Sequence, residues 1–259
     1  MRIDQLLVQR GLASTRSQAQ RLIAAGVEWQ DGAAWRRVAK NGDDVPDDAE
    51  LRLLDDAEAR YVSRGGLKLE AALQKTGVHV QGKVCLDVGQ STGGFTDCLL
   101  QAGAKRVVGL DVGSAQLHPQ LRDDARVLCL ENVNARDPDA LDDALGEHLD
   151  DLGMSEGPAF DVLVADVSFI SLTLILPAVV TLLKPGADVL LLVKPQFELQ
   201  PGQVGKGGVV RDAAMYPVVK ERLHQACADL GLNVQAWFDS PIAGGDGNHE
   251  FFIHAQVPL

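Results

Sequence analysis

Hydrophobic positions at the start of the chain have helical spacing over two short stretches and then change to short extended runs. Ile3–Leu7 and Ala19–Ile23 each place apolar side chains on one helical face, and we expect Ser14 to be the N-cap of the second helix. The turn signals Asp31-Gly32 and Asn41-Gly42 separate the extended runs that follow. This pattern predicts a small α+β domain of about sixty residues.

Apolar runs of four to seven residues follow, and helical stretches alternate with them. Such alternation predicts an α/β domain with a largely parallel sheet. Only the twelve residues Asp239–Glu250 separate the last two runs, too few for a helical crossover, so the last strand is expected to be antiparallel. A helix over Leu172–Leu183 is expected to stop at Lys184-Pro185-Gly186. The predicted strands are Val84–Val88, Val107–Asp111, Val127–Glu131, Phe160–Asp166, Val189–Lys194, Val234–Phe238 and Phe251–His254.

A glycine-rich turn follows the first of these strands. The strand ends around Asp87, Gly89 begins the turn, and Gly93-Gly94 begin a helix. Glycines let a ligand approach the backbone, and the free N–H groups of a helix N-terminus can bind it. The spacing fits neither a dinucleotide fingerprint nor a phosphate loop, and an acid before the first glycine suits a ligand with amino and hydroxyl groups. A plain turn without ligand is the alternative.

Two residues beyond the next strand ends are further candidates for binding an adenosine-bearing ligand. Asp111 ends the second strand, where a carboxylate could hold a ribose diol. Asn134 follows the third strand and could hydrogen-bond a base. It could equally cap the helix after it, and the sequence leaves both interpretations open.

Composition narrows the class of protein. The 259 residues carry four cysteines, Cys85, Cys98, Cys129 and Cys227, which lie far apart without a C-x-x-C pair. This spacing favours free thiols and makes a zinc site improbable. No signal-peptide core and no apolar run of about 20 residues is present, so we expect a soluble, cytoplasmic protein without a membrane partner.

The charge is unevenly distributed along the chain. The formal net charge of −12 argues against a nucleic-acid partner. However, residues 1–42 hold seven basic and three acidic side chains, whereas residues 131–161 hold ten acidic side chains and Arg136 alone. The chain is therefore polarised, with one basic end and an acidic flank.

Four ionisable residues occupy corresponding places in the predicted sheet. Lys68 lies in the first turn of a helix, where the helix dipole disfavours a cation. Asp166 and Lys194 end strands four and five, and Glu250 precedes strand seven. If these strands are neighbours, the four side chains meet beside the glycine turn. Two lysines held by two carboxylates could steer the proton of a weakly acidic alcohol. Unrelated strand-end residues are the alternative.

The amino-terminal segment resembles an S4 domain through Arg2–Leu7, Ser14–Ile23 and the turn from Gly26 to Gly32. This resemblance implies a basic face against structured RNA, supplied by Arg10, Arg16 and Arg21. Ordinary surface arginines are the alternative.

The rest of the chain resembles the FtsJ-like 2'-O-ribose methyltransferases and, more closely, the TlyA family. The motifs that carry the resemblance are Tyr61–Glu70, Asp87–Leu99, Asp111–Gly113, Asp166–Ser171, Val193–Glu198, Val204–Val210 and Gly247–Phe251. The resemblance implies a class I (Rossmann-like) methyltransferase fold at residues 61–259 behind an S4-like domain at residues 1–60. It implies S-adenosylmethionine-dependent 2'-O-methylation of cytidine in ribosomal RNA. The short ends of the chain resemble those of family members that act only on the RNA of the large ribosomal subunit.

The resemblance also assigns residue roles. The family has a tetrad of Lys, Asp, Lys and Glu, which this sequence matches with Lys68, Asp166, Lys194 and Glu250. The expected S-adenosylmethionine contacts are Asp87, Gly89, Ser91, Thr92, Gly93, Gly94, Phe95, Asp111, Val112, Asn134 and Asp166. The expected RNA contacts are Arg2, Arg10, Arg16, Arg21, Arg64, Lys206 and Arg211.

Two departures and two other functions accompany this prediction. Gln90 stands where such proteins usually have Ala, and His118-Pro119 replaces a small-aromatic pair. Some members of the family are labelled haemolysins, so a membrane-active protein is one alternative, although no basic amphipathic helix supports it. An RNA-binding protein that lacks catalysis is the other.

Overall fold

The computed structural model describes residues 1–54, 59–148, 150, 157–205, 207–244 and 247–259. The chain divides into two compact units, Met1–Leu67 and Lys68–Leu259. Each unit has its own elements and hydrophobic core, and each is described by itself.

The first unit is a small α+β module with two helices and a three-stranded antiparallel sheet in the order β2-β1-β3. Its core contains Ile3, Leu6, Leu7, Leu22 and Ile23, as the helical spacing predicts. Its elements are α1 (Ile3–Gln9), α2 (Arg16–Gly26), β1 (Val27–Asp31), β2 (Ala34–Arg37) and β3 (Leu51–Leu53).

The N-cap of α2 differs from the prediction. Thr15, not Ser14, has the extended backbone of an N-cap, and its side chain accepts a hydrogen bond from the N–H of Gln18. Ser14 instead donates from both its N–H and its hydroxyl to Oε1 of Gln18. Two adjacent hydroxyl residues look alike in sequence, and only the helix register distinguishes them.

The second unit is an α/β domain. Its strands are β4 (Val84–Val88), β5 (Arg106–Asp111), β6 (Val127–Glu131), β7 (Phe160–Ala165), β8 (Leu183–Val193), β9 (Asn233–Asp239) and β10 (Phe251–Gln256). Its helices are α3 (Gly65–Thr76, beginning just before the unit), α4 (Gly94–Gln101), α5 (Pro119–Arg122), α6 (Pro138–Gly146), α7 (Leu172–Val179), α8 (Pro195–Glu198) and α9 (Met215–Asp229).

One seven-stranded sheet forms the centre of this unit, in the order β6-β5-β4-β7-β8-β10-β9. Strands β4 to β8 are parallel, and β10 is antiparallel to both β8 and β9. The predicted antiparallel last strand is thus confirmed. The central strands β7 and β8 are almost fully buried, because helices cover a parallel sheet on both faces.

The expected helix over Leu172–Leu183 is too long. Helix α7 ends at Val179, a single 3-10 turn follows, and β8 already begins at Leu183. The Lys-Pro-Gly stop signal therefore lies inside a strand. Sheet pairing explains this, because Leu183 pairs with Phe160 and the N–H of Gly186 donates to the carbonyl of Val257.

Two other segments also differ from the sequence pattern. The glycine-rich loop Gln196–Arg211 is expected from its sequence to be mobile, but it begins inside the one-turn helix α8. The acidic helix is expected over Asp137–Asp151, and α6 covers its first part with Leu141 and Leu145 in the core. Leu149, expected on the same stripe, lies outside the described residues.

Candidate active site

The carboxyl edge of the central sheet brings the predicted tetrad together. Strands β4, β7 and β8 are parallel neighbours, so Asp166 and Lys194 leave the sheet at the same edge. The antiparallel β10 begins at that edge, because Phe251 pairs with Val193. Glu250 therefore lies directly beside Lys194.

The four side chains form two ion pairs. Nζ of Lys194 lies 2.6 Å from Oδ1 of Asp166 and donates a 2.8 Å hydrogen bond to Oγ of Ser168. Nζ of Lys68 donates to Oε2 of Glu250. Both members of the second pair are buried, with 8% of Lys68 and 3% of Glu250 exposed. Helix α3 thus carries a cation in its first turn because Glu250 neutralises it there.

The two pairs interact electrostatically. Burial raises the pKa of Glu250 above the usual value of a glutamate, and the positive charges of Lys68 and Lys194 oppose that rise. The negative charge of Asp166 adds to it. Lys194 and Asp166 are therefore close enough to Glu250 to influence its charge, which places all four groups in one cluster.

The glycine turn lies against this cluster. Gly89 has a φ of +83°, and a Cβ there would lie 2.6 Å from the carbonyl oxygen of Asp166. Gly93 also has a positive φ, but a Cβ there would meet the side chains of Leu117 and Leu121. The sequence suggests close ligand approach at Gly93, whereas these contacts show that the packing of the α5 segment already requires a glycine there.

A series of buried hydrogen bonds stabilises the glycine turn. The amide of Gln90 donates to Oγ1 of Thr96, which donates to Oδ2 of Asp87. Burial of Asp87 raises the pKa of its carboxyl to about 7, although the bond from Thr96 opposes the rise. Gln90 is only 3% exposed, and its amide packs over Gly109, where a Cβ would lie 2.0 Å from the amide carbon.

A cleft of about 280 Å³ opens beside the turn, along the carboxyl ends of β4, β5 and β7. Six of the predicted ligand contacts line it: Gly89, Ser91, Asp111, Val112, Asn134 and Asp166. The other five, Asp87, Thr92, Gly93, Gly94 and Phe95, do not line it. Of these, Asp87, Gly93, Gly94 and Phe95 are buried, and Thr92 is exposed.

Asp111 and Asn134 both line the cleft, and each accepts hydrogen bonds from the backbone. Asp111 accepts hydrogen bonds from the N–H groups of Ser91 at 2.6 Å and Gly113 at 2.7 Å, one at each carboxylate oxygen. Oδ1 of Asn134 accepts from the N–H of Arg136. The alternative role of Asn134 as a helix cap is wrong, because Asp137 is the N-cap of α6.

Sequence reasoning missed the segment Val167–Ile170, which also lines the cleft. Phe169 is 91% exposed, has a positive φ of 65°, and its ring centroid lies 5.1 Å from that of Phe197. Such a φ is an outlier for a bulky side chain and is often found at functional sites. The sequence did contain a signal for this segment, because the aromatic residue Phe169 follows soon after Asp166, the acid that ends a strand.

The arginines of the first unit have internal partners. Arg2 and Arg16 both pair with the buried Asp4, at 3.0 and 2.9 Å. Their bonds, that of Arg2 foremost, hold the pKa of Asp4 far below its usual value although burial opposes the shift. Arg10 donates to the carbonyls of Asp47 and Ala49. About half of the Arg2 and Arg16 side chains remains exposed, at 45% and 57%, so each can still meet a phosphate.

The remaining predicted RNA contacts differ in how far their side chains are exposed. Arg21 and Arg64 are half-buried, and Arg211 is exposed. Lys206 lies outside the described residues.

The reversed seventh strand, the glycine turn and the acidic strand ends define a class I methyltransferase fold. Residues 61–257 match the model of the FtsJ-like methyltransferases, and residues 1–26 match that of the S4 domain. The chain belongs to the FtsJ-like methyltransferase family. The predicted resemblance and fold class are therefore confirmed.

Relatives extend this result over almost the whole chain. The chain is 42% identical over 97% of its length to the 16S/23S rRNA (cytidine-2'-O)-methyltransferase TlyA of Mycobacterium tuberculosis, 88% of which is covered. It is 39% identical to Hemolysin A of Brachyspira hyodysenteriae, with 98% and 99% of the two chains covered.

Solved structures show the same architecture. A protein described as a hemolysin from Streptococcus thermophilus is 41% identical, with a TM-score of 0.71 and with 100% of this chain and 88% of that one covered. A protein described as an S-adenosylmethionine-dependent methyltransferase from Listeria monocytogenes is 16% identical and shares the fold, with a TM-score of 0.52 and coverage of 74% and 99%. Among the described residues, no helix is long and apolar enough to cross a membrane.

Proposed function

We propose that this chain transfers a methyl group from S-adenosylmethionine to the 2'-oxygen of a cytidine ribose in ribosomal RNA. The observation that carries the proposal is the convergence of Lys68, Asp166, Lys194 and Glu250 beside the cleft. The TlyA relative, whose name gives this reaction, supports the choice of substrate. Because ribosomal RNA is the substrate, the proposed site of action is the cytoplasm.

The cleft fits S-adenosylmethionine. Asp111 presents carboxylate oxygens whose second lone pairs can accept from ribose hydroxyls, and Asn134 presents an amide to a base. Val112 is 71% exposed and offers an aliphatic surface for a ring. Oδ1 of Asp87, two residues before Gly89, is buried and has no hydrogen-bond partner in the described part of the chain, so one acceptor next to the glycine turn is left open. These features suit a ligand with ribose, base and ammonium groups.

The tetrad supplies the chemistry at the ribose oxygen. When bound, S-adenosylmethionine supplies a sulfonium-activated methyl group, whose bonding electron pair stays on sulfur as the methyl leaves. The neutral form of Lys194, whose Nζ has a lone pair, orients the 2'-hydroxyl and takes its proton as the oxygen–carbon bond forms. Asp166 holds Lys194 in place, and the Lys68–Glu250 pair balances the charge of the cluster. Most of the rate enhancement then comes from positioning.

The RNA is proposed to contact both parts of the chain. Residues 1–60 are the S4-like module, in which exposed parts of Arg2 and Arg16 remain available to phosphates. In the methyltransferase part, Phe169 presents an exposed ring at the rim of the cleft, and aromatic rings stack on unpaired bases of single-stranded RNA.

Methylation of ribosomal RNA tests the proposal. Purified subunits and free rRNA, incubated with the chain and labelled S-adenosylmethionine, should acquire a 2'-O-methylcytidine that nuclease mapping locates. Lys194→Ala should lower the rate at least about a hundredfold, because a proton acceptor is lost. Its affinity for S-adenosylhomocysteine, measured by calorimetry, should stay within about twofold, which is about 0.4 kcal/mol.

Lys220→Ala is the matched control, because this lysine is exposed on α9 and should leave the rate unchanged. Transfer to another position or nucleotide would contradict the proposed substrate. Cofactor binding with no methyl on any RNA would indicate an RNA-binding protein that lacks catalysis.

A further inference from the structure

We infer that Ser168 is a positioning residue for the methyl-transfer step, which acts by fixing the orientation of the Lys194 amine. This inference rests on the proposed function. Ser168 has no place in the tetrad, yet its hydroxyl oxygen lies 2.8 Å from Nζ of Lys194 and lines the cleft.

The geometry at Nζ gives the reason. A lysine amine has three hydrogens when charged, and two hydrogens and a lone pair when neutral. Oδ1 of Asp166 is an ion-pair partner of Nζ at 2.6 Å, whereas Oγ of Ser168 accepts a directed hydrogen bond from Nζ at 2.8 Å. The ion pair alone would let the amine rotate, because it is not directional, whereas the hydrogen bond to Ser168 fixes the direction of one N–H. The direction of the lone pair of the neutral amine relative to the cleft is then fixed by both partners together.

The backbone of the 166–170 segment supports this role. In an extended chain, neighbouring side chains point to opposite sides. Here every residue from Asp166 to Ile170 lines the cleft, and the turn that allows this includes the positive φ of 65° at Phe169. The segment therefore keeps a strained conformation that presents Asp166 and Ser168 to the same amine.

A second contact fixes the two segments relative to each other. Glu198, which follows Lys194 on α8, is buried and accepts hydrogen bonds from the hydroxyl of Ser171 and the N–H of Leu172. This contact holds the end of the 166–171 segment against α8 without touching Lys194. The serine at 171 is thus a neighbouring hydroxyl with a structural partner, whereas the serine at 168 has the reactive amine as its partner.

Substitution of Ser168 tests the inference in the full chain. Ser168→Ala should lower kcat about ten- to a hundredfold, because a small displacement of a reacting group costs about that much. KM for rRNA and calorimetric affinity for S-adenosylhomocysteine should change by less than about twofold. Ser168→Thr keeps the hydroxyl at an exposed position and should restore kcat to within about threefold of the wild type.

A readout that does not depend on turnover is the reactivity of the amine. Acylation of Lys194 by an amine-reactive ester, quantified by peptide mass spectrometry against the exposed Lys220, should be faster in Ser168→Ala and normal in Ser168→Thr. Ser171→Ala is the matched control, because it removes one hydrogen bond to Glu198 and keeps the bond from the N–H of Leu172, which still holds the segment against α8. It should lower the melting temperature while leaving both kcat at a permissive temperature and Lys194 acylation close to wild type.

Three results would overturn the inference: wild-type kcat in Ser168→Ala, no rescue by Ser168→Thr, or an equal loss of kcat in Ser171→Ala. The last would show that the whole segment, rather than one hydroxyl, sets the rate. A wild-type chain that methylates no RNA would instead overturn the proposed function, so the two failures are distinguishable.

Discussion

At the scale of single residues, the site uses carboxylates with different surroundings for different purposes. Asp111 is half-exposed and bonded to two backbone N–H groups, whereas Asp87 is fully buried and bonded to the hydroxyl and the backbone N–H of Thr96. Both end or nearly end a strand in the sequence. Their environments, which the sequence does not reveal, decide that Asp111 meets the cleft and Asp87 supports the turn.

Removal of the Asp111 carboxylate should weaken cofactor binding. Asp111→Ala removes the acceptors proposed for the ribose hydroxyls and frees the N–H groups of Ser91 and Gly113. The dissociation constant for S-adenosylhomocysteine, measured by calorimetry, should rise about ten- to a hundredfold. Asp139→Ala, an exposed acid on α6, is the control and should bind normally. Unchanged affinity in Asp111→Ala would count against the ribose role.

The buried Asp87 should make stability depend on pH. Its folded pKa of about 7 lies above the value of about 3.9 in an unfolded chain, so the folded state binds more protons between these values. The contribution of Asp87 to the wild-type free energy of unfolding therefore falls as pH rises from about 4 to 7. Asp87→Asn lacks this titration, and its stability relative to the wild type should rise over that window, by at most about 4 kcal/mol.

Chemical denaturation of the two proteins at pH 5 and pH 8 measures this difference. Every other titrating group is common to both, so its contribution cancels. A difference that does not change between the two pH values would show that Asp87 keeps an ordinary pKa in the folded chain.

At the scale of elements, the glycine turn after β4 is held by packing between β4, β5 and α4. Gln90 leaves β4, bonds Thr96 on α4 and covers Gly109 on β5. The resemblance to the family implies only that Gln90 stands where alanine is usual. The structure gives the substitution a physical context, because a larger side chain at 90 requires the absence of a Cβ at 109.

A double-mutant cycle tests this pairing. Gly109→Ala should cost about 1–3 kcal/mol of unfolding free energy, because its Cβ would overlap the Gln90 amide. In the Gln90→Ala background the same change should cost less than half as much, since the overlapping group is gone. Urea denaturation of the four proteins provides the coupling energy. Additive effects of the two substitutions would show that the residues do not compete for this space.

At the scale of the whole molecule, charge and chemistry are carried by different units. Although the net charge of the chain is −12, its amino-terminal segment is basic. The exposed arginines of this segment belong to the first compact unit. The tetrad and the cleft lie within the second unit. The side chains proposed to attract RNA and those proposed to transfer the methyl group are thus separate along the sequence.

Deletion of residues 1–60 should lower RNA affinity and its dependence on salt. The basic side chains of this segment release counterions when they meet phosphates, so their loss reduces the slope of log affinity against log salt. Filter binding of rRNA fragments at several salt concentrations measures the slope. The truncated chain must bind S-adenosylhomocysteine like the full chain, which controls for its folding. Equal slopes would show that residues 1–60 do not dock the RNA.

The sequence by itself determined the element types, the reversed last strand and most of the chemistry-bearing positions. Periodicity and loop length report local geometry, and a twelve-residue connection cannot contain a crossover helix. The tetrad was predictable because parallel strands bring their carboxyl ends to one edge.

Only the tertiary structure decided contacts between residues distant in the chain. It placed Lys-Pro-Gly inside β8 through pairing with β7, and it showed that packing against Leu117 and Leu121 requires a glycine at position 93. It also joined Ser168 to Lys194 and gave Arg2 and Arg16 a buried acid as partner. Local sequence cannot specify these contacts, because each depends on how elements far apart in the chain fit together in space.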